Sequence, residues 1–591
     1  MNEKILHSVT KPGRYTGGEF GSITKDRAGV DVRFALCFPD VYEIGMSNLG
    51  MRILYGLVNS LDWAWCERVF APWSDMEEVM RREKMPLYAL ESGDSIRKYD
   101  FLGFSLQYEL SYTNILNVLS LAGIPMFAAE RDESHPLIIG GGPGTVNPEP
   151  LADFFDLFLI GDAEEALIEL LELYRAHKKV GGDKEKFLRA AAQLEGIYVP
   201  SLYSVKYNDD GTIHAYTPTD GAPAQVKKRV LRDLDSAYFP TSFPVPNIEV
   251  VHDRVTLELT RGCFRGCRFC QAGMIYRPVR SRKAETLLKL ARETYENTGY
   301  DEISLASLSV SDYPELEMLT SGLREWTNDC HVNLSLPSQR IDAFTPELMK
   351  SMTEVRTGTV TFAPEAGSQR LRDAIRKDIT DEHILRAANV VFASGKKNIK
   401  LYFMMGLPTE TEEDLLGIVA TAEGILDCYY QNPDVKKGGK PPELGLSVAI
   451  FVPKPHTPFQ WEAQDSPEQL HEKTRALRER NKNRKIKLKT HDVQSSRLEG
   501  VFARGDRRLS KVLLAAHSHG LKFCAWTEHF DYTKWQQVFD ECNVSMDFYA
   551  TRERNTDEVL PWDIIDVGVT KSFLLRERNA AYGEVKEVDK C

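Results

Sequence analysis

The sequence predicts an α/β protein with three parts: a doubly wound N-terminal domain, a run of parallel strand–helix units, and a small C-terminal α+β region. Three observations carry this. Strand-like and helix-like stretches alternate from residue 31 to about 175, and again from 254 to about 460. Between them lies a polar stretch with the proline-spaced run AYFPTSFPVPN. A chain of 591 residues is also too long for one hydrophobic core. The expected boundaries are a domain over 1–205, a linker over 206–250, a second domain over 251–465 and an accessory region over 466–591.

Composition narrows the function classes. Hydrophobic residues make up 42% and charged residues 27%, as in ordinary globular proteins. The net charge of −12 excludes a whole-surface grip on nucleic acid but leaves local basic patches open. No run approaches the roughly 20 apolar residues of a spanning helix, and MNEKILHSVTKPGRYTGGEFGS holds no apolar stretch of signal-peptide length. The expected location is the cytoplasm, with no membrane partner.

In the first domain VDVRFALCFPD reads as a strand and MSNLGMRILYGLVNSL as a helix. YDFLGFSL and SYTNILNVLSLAGI repeat the pair. PLIIGGG and FFDLFLIGD are further strands, and AEEALIELLELYRAH is the closing helix. Doubly wound sheets take ligands at the carboxyl ends of their strands. The candidate loops are therefore Asp40, Tyr42 and Gly45 in DVYEIG, Ser105 after YDFLGF, and Gly140, Gly141 and Gly142 in GGGPGTVNPEP. Asp162 and Glu164 read as acids at a helix start.

In the second domain RVTLELT reads as the first strand. RPVRSRKAETLLKLARETYENTG follows as an amphipathic helix. EISLASLSV, VNLSLP, TGTVTFAP, NIKLYFMMGLP and LGLSVAIFVP continue the pattern, making six readable units against the eight of a closed barrel. At their ends stand Ser338 and Arg340, Glu365 and Ser368, and Gly406, Pro408 and Glu410. Each reads equally as a ligand or as a helix cap, since PTETEEDL is itself a good helix start.

Three of the ten cysteines, Cys263, Cys267 and Cys270, fall within RGCFRGCRFC. The others are scattered singly, which is no disulfide framework. Structural zinc wants four ligands, and the next cysteine is Cys330, with no histidine near. Three thiolates on a [4Fe–4S] cluster leave one iron open, and an open metal position is where a substrate can ligate.

This stretch resembles the radical S-adenosylmethionine (SAM) family. The resemblance implies a partial (βα)6 barrel, with Cys263, Cys267 and Cys270 as catalytic cluster ligands. It also implies SAM on the open iron and cleavage of SAM to a 5′-deoxyadenosyl radical. Phe269 would pack near the adenine. Ser338, Arg340, Glu365, Ser368 and Gly406 match strand-end motifs that line the SAM pocket, with Glu365 holding the amino group or ribose. The family's Gly-Gly-Glu after the second strand is absent; ASLSVSDY stands there. A cellular electron donor such as flavodoxin or ferredoxin is implied as a partner.

The N-terminal loops resemble the cobalamin-binding, Rossmann-like domain fused to many radical SAM enzymes. On this resemblance Asp40, Tyr42, Gly45, Ser105, Gly140, Gly141 and Gly142 would bind cobalamin. Tyr42 stands where that family's pattern has a cobalt-ligating histidine, so no protein imidazole holds the lower face. The implied activity is cobalamin-dependent methylation of an unactivated carbon. The alternatives are another radical SAM reaction, such as methylthiolation or rearrangement, with a cofactor-free N-terminal domain, and a non-catalytic iron–sulfur protein. Methylthiotransferases ligate a second cluster with three N-terminal cysteines, whereas the first 250 residues here offer only Cys37 and Cys66.

Beyond the barrel, His456, Phe459, Gln460 and Trp461 are candidates for a channel or a seal. EKTRALRERNKNRKIKLK, 472–489, carries nine basic residues against two acids. It reads first as a solvated helix face and second as a contact for RNA or another polyanion; RNA, a protein and a small metabolite all stay open as substrates. Arg504, Asp506 and Arg507 form a polar cluster that reads as structural or substrate-binding.

Overall fold

The computed structural model describes residues 3–583 apart from 338–339, 347–348, 350–359 and 436–439. Strands are numbered along the chain. The N-terminal sheet comprises β1 (Val32–Phe38), β2 (Ala64–Phe70), β3 (Phe101–Ser105), β4 (Leu137–Gly141), β5 (Leu157–Leu159) and β6 (Ile197–Tyr198), in the order β2-β1-β3-β4-β5-β6. All neighbours are parallel except β5 and β6. Parallel strands covered on both faces need near-continuous apolar runs, and β2 is buried along its whole length. The strand order reverses between β1 and β3, the switch point at which such sheets open a crevice. Helix Leu49–Asn59 begins there, its first turn capped by Asn48, which accepts from the Met51 amide at 3.0 Å.

The stretch read as a linker carries structure. β7 (Tyr203–Tyr207) and β8 (Ile213–Pro218) form an antiparallel hairpin. Its turn is NDDG, with Gly211 at φ 85°, a turn signal hidden by the polarity of the segment. Further on, β9 (Val226–Lys227) pairs with a strand from the far end of the chain, described below.

The second domain begins with β10 (Val255–Glu258), followed by the short antiparallel pair β11 (Thr260–Arg261) and β12 (Arg280–Ser281). β13 (Glu302–Ala306) and β14 (Asn333–Ser335) join β10 in a parallel three-stranded sheet. A parallel four-stranded sheet follows, of β15 (Val360–Glu365), β16 (Asn398–Met405), β17 (Glu443–Ile450) and β18 (Ile486–Thr490). The six expected strands are thus present, and KIKLK adds β18, beyond the boundary expected at 465. Its lysines hide a strand whose alternate residues, Ile486 and Leu488, join the core. Outward faces such as Ile399, Leu401, Phe403 and Met405 pack on helices Asp381–Ala393, Glu412–Gln431 and Pro467–Arg480. Capping boxes start all three, at Thr380 with His383, at Thr411 with Asp414 and at Ser466 with Gln469.

The C-terminal region returns to the first domain. Helices Val493–Ala503, Leu509–Ser518 and Tyr532–Glu541 send Phe502, Leu513 and Trp535 into the N-terminal core. β19 (Ile565–Asp566) is the partner of β9, in parallel. The Arg504–Asp506–Arg507 cluster is structural: Arg507 pairs with Glu149 at 3.1 Å, and Arg504 donates to the Ala550 carbonyl at 2.7 Å. Among the described residues no helix is long and apolar enough to cross a membrane.

Phe502 is buried between Tyr112 and Trp535, with ring centroids at 5.9 and 5.5 Å. Phe502→Ala is expected to cost about 3–5 kcal/mol and to loosen the N-terminal domain along with the tail. Urea unfolding followed by tryptophan fluorescence checks it.

Candidate functional site

The β11–β12 pair, Thr260 with Ser281 and Arg261 with Arg280, ties together the two ends of the segment carrying the cysteines. Gly262 sits at φ 94°, and a Cβ there would come within 2.5 Å of the Tyr276 carbonyl oxygen. Only glycine lets the chain turn so tightly there. The Gly273 amide donates to Cys270 Sγ at 3.3 Å. Burial pushes the Cys267 thiol up to about 11, against the pull of Lys377 and Arg340 close by, with Cys270 adding to the push. Burial raises Cys270 as well, and Cys263 adds to it. The three thiols thus lie close enough to feel one another. A [4Fe–4S] cluster takes each thiolate on a different iron, so three neighbouring thiols on one glycine-bent loop, with cations to offset their charge, fit it.

The strand-end residues divide into two groups. Glu365 ends β15 just after a register shift, at φ 71°, and pairs with Lys377 at 3.0 Å. Arg340 binds Asp342 at 2.9 Å and reaches the Lys377 carbonyl at 3.4 Å. These residues gather round Cys267. Phe269 packs against the cluster of Ala366, Leu371, Leu407 and Phe459. Ser368 instead caps helix Gln369–Ala374, accepting from the Leu371 amide at 3.1 Å and donating to Asp414. Burial alone would raise the Asp414 carboxyl, but hydrogen bonds from Arg370, Ser368 and Thr411 bring it down to about 2. Gly406 turns at φ 80° and donates to Glu410 at 3.0 Å; Glu410 is held in turn by Lys473 at 2.7 Å. Ser338 lies outside the described residues.

Of the residues after the barrel, Phe459 and Trp461 are fully buried and act as a seal. Gln460 accepts from the Trp562 indole at 2.7 Å. The His456 ring nitrogen Nε2 lies 3.0 Å from the Val146 carbonyl. Burial lowers that imidazole to about 4, so it is a neutral tie to the first domain.

A cleft of about 460 Å³ lies between the domains. Its first wall comes from the carboxyl ends of β1, β3 and β4, with Leu36, Gly103, Ser105, Ile139, Gly141 and Gly142, and from Leu49, Ile53 and Leu54 on the neighbouring helix. Its second wall comes from the barrel, with Glu258, Thr260, Arg261, Gly262 and Ser307. Ser105, Gly141 and Gly142 are therefore brought to the cleft. Gly142, at φ 101°, would set a Cβ 2.9 Å from the Leu106 carbonyl oxygen, whereas a Cβ on Gly141 would meet no atom within 4 Å.

The rest of the N-terminal set lies elsewhere. Gly140 faces the Phe158 ring, and Gly45 the Phe70 ring, each too closely for a Cβ. Asp40 accepts from the Trp526 indole at 3.0 Å. The Tyr42 hydroxyl donates to Glu19 at 2.9 Å, and its ring packs edge-on against Phe70 at 5.3 Å. Buried Arg68, paired with Glu19 at 2.7 Å and Glu91 at 2.6 Å, fixes Glu19 and so draws Tyr42 inward. DVYEIG is held by these contacts, and Asp40, Tyr42 and Gly45 are not among the residues that line the cleft.

Asp162 and Glu164, read as helix-start acids, join the domains. Arg261 pairs with Asp162 at 2.9 Å, Glu164 at 2.7 Å and Glu258 at 3.0 Å, and Arg280 also binds Asp162. Burial works to raise the Asp162 carboxyl, but Arg261 and Arg280 bring it below its ordinary value. The sequence signal was an arginine between a strand-end acid and the first glycine of the cysteine loop, in ELTRG.

A parallel-strand barrel bearing a three-cysteine loop, behind a doubly wound domain, defines a class of cluster-dependent enzyme. Residues 257–422 match the radical SAM superfamily, and residues 50–200 match the family described as radical SAM proteins, N-terminal. The chain is a radical SAM enzyme, and its family implies a [4Fe–4S] cluster and SAM. An uncharacterized protein of Methanocaldococcus jannaschii is 29% identical over 481 residues, covering 81% of this chain and 90% of that protein. The ribosomal protein uS12 methylthiotransferase RimO of Pelotomaculum thermopropionicum is 25% identical over 335 residues, covering 52% of this chain and 69% of its own. Among solved structures, the radical SAM methyltransferase TsrM of Kitasatospora setae, bound to tryptophan and a SAM analog, shares the fold. Its TM-score is 0.51 at 13% identity, covering 87% of this chain and all of TsrM.

Asp162→Asn is expected to weaken the clamp, because it leaves two buried guanidiniums with less counter-charge, at a cost of about 3–5 kcal/mol. The folded-state value of Asp162 lies below the unfolded one of about 3.9. Its contribution is therefore complete above that pH and is lost as pH falls through the folded value. Urea unfolding at neutral and acid pH should show the variant less stable at neutrality and with a flatter acid limb.

Proposed function

We propose that this chain uses SAM and a cobalamin held in the interdomain cleft to methylate an unactivated carbon. The observation that carries this is the cleft itself: it opens at the switch point of a doubly wound sheet and is closed by the strand and loop that present the cluster cysteines. Its apolar floor suits a nucleotide-like arm of a larger cofactor. TsrM, whose fold this chain shares, has also been solved with cobalamin and a [4Fe–4S] cluster.

When bound, the cluster supplies the electron that breaks a C–S bond of SAM, and cobalamin supplies a transferable methyl group. The protein's part is to hold and to orient. Cys263, Cys267 and Cys270 would ligate three irons. Lys377 and Arg340 offset thiolate charge beside Cys267. Glu365, already holding the ammonium of Lys377, presents the acceptor an amino group of SAM needs. Arg261 fixes the loop against the first domain. Gly141 and Gly142 let a ligand approach the backbone.

Methylthiolation, the activity in the names of two relatives, needs an N-terminal cluster site. Cys37 and Cys66, the only cysteines in the first 250 residues, are fully buried inside β1 and β2, where burial pushes their thiols well up. That surrounding favours inert core thiols over ligands.

The test is metal content after anaerobic purification from cells supplied with cobalamin. The wild type should carry about four irons and one cobalt. Gly141→Leu fills the cleft without a clash at Cβ and should lose cobalt while keeping iron. Cys267→Ala should lose iron. Iron without cobalt in the wild type, or unchanged cobalt in Gly141→Leu, would contradict the proposal.

A further inference from the structure

The inner face of the four-stranded sheet, opposite the helices, is open to solvent and basic. In β16 the residues alternate, with Asn398, Lys400 and Tyr402 exposed and Ile399, Leu401 and Phe403 buried. Lys400 lies in register with Gly445 of β17 and Lys487 of β18, and Tyr402 with Ser447 and Lys489. Lys400, Lys487, Lys489 and Tyr402 thus share one face. Among the described residues none of the three lysines has an ion-pair partner. The ammonium of Lys400 lies over the Tyr402 ring at 4.8 Å, and that ring is 39% exposed. Glu443, at the start of β17, is the acid on this face of β16–β18. In a chain of net charge −12 such a patch is a local reversal of sign.

Lysines on an edge strand can simply guard against strand pairing, which would account for β18. They do not account for Lys400, on a strand with neighbours on both sides, nor for the exposed tyrosine beside it. We infer that this face binds a single-stranded polynucleotide segment, with phosphates on Lys400, Lys487 and Lys489 and a base stacked on Tyr402. The inference deepens the enzyme reading by naming the class of substrate, and it is independent of cobalamin. Neighbouring strands lie about 4.8 Å apart and alternate residues about 6.6 Å apart. The three charges therefore spread over roughly 10 by 7 Å, which suits successive phosphates of a chain better than one phosphate. An exposed ring beside cations is the arrangement that holds unpaired bases without reading their sequence.

Binding is measured on the whole purified chain by fluorescence anisotropy, with no turnover, so the result does not depend on the methylation reading. The probe is a fluorescein-labelled single-stranded RNA of about 12 nucleotides, within the site sizes of single-strand binders. The DNA of the same sequence and unlabelled AMP serve as further arms. The triple variant K400Q/K487Q/K489Q should bind at least about tenfold more weakly at low salt, and its plot of log K against log salt should flatten by about 2, at roughly 0.7 per lost phosphate contact. Tyr402→Leu should lose about fivefold or more from stacking alone. R475Q/R478Q/K482Q removes the same charge from the outer helix and the turn after it and should bind like the wild type. Should the lysine triple misfold by circular dichroism, Tyr402→Leu and Lys400→Gln carry the test. Equal binding by both triples, or AMP displacing RNA at equal phosphate concentration, would overturn the inference.

Discussion

Arg261 holds three carboxylates drawn from both domains: Asp162 and Glu164 from the first, Glu258 from the barrel. It is the residue next to the glycine that opens the cysteine loop. Taking such a group out of water costs several kcal/mol per ion, and the mutual attraction repays this only with full pairing. Pairing here is near complete, with Arg280 sharing Asp162 and the Leu231 amide donating to it at 2.8 Å. An apolar pair of equal volume would hold the domains as firmly. What it would not do is fix the angle of the loop, because charge-assisted forked hydrogen bonds are directional where apolar contact is not.

The rest of the site follows from that fixed angle. The loop that places Cys267 and Cys270 near Lys377 and Glu365 on one side closes the interdomain cleft on the other. A ligand in the cleft and a ligand at the cluster would each meet a side of the same ten-residue turn. The C-terminal helices brace this from behind: Phe502 and Trp535 enter the N-terminal core, and β19 pairs with β9. Oxygen-sensitive radical chemistry needs water and oxidants kept out, and a chain that folds back on its own first domain is one way to seal the seam.

How far the sequence could be read depended on how local each signal was. The cluster loop was legible because its three thiols and their glycines sit within ten residues. The strands of both sheets were legible from period-two burial and apolar runs. The linker hairpin and β18 were obscured by polar composition, since KIKLK declares its charge before its alternation. Tyr42 could not be placed, because what turns it inward is Glu19 and Arg68, residues 23 and 49 apart from their respective partners Tyr42 and Glu19. The Arg261–Asp162 clamp spans 99 residues and is written in neither domain alone. Ser368 shows the opposite case: its two readings were balanced in sequence, and the Leu371 amide and Asp414 make it a cap.

The central claim is that a cofactor in the interdomain cleft touches both walls at once. Hydrogen–deuterium exchange with and without hydroxocobalamin tests it most directly. The account predicts slowed exchange in two separate stretches, around Ser105 and Gly141–Gly142 on the first domain and around Arg261–Gly262 and Ser307 on the barrel. Protection confined to the Tyr42 turn, or no protection in either wall, would contradict it.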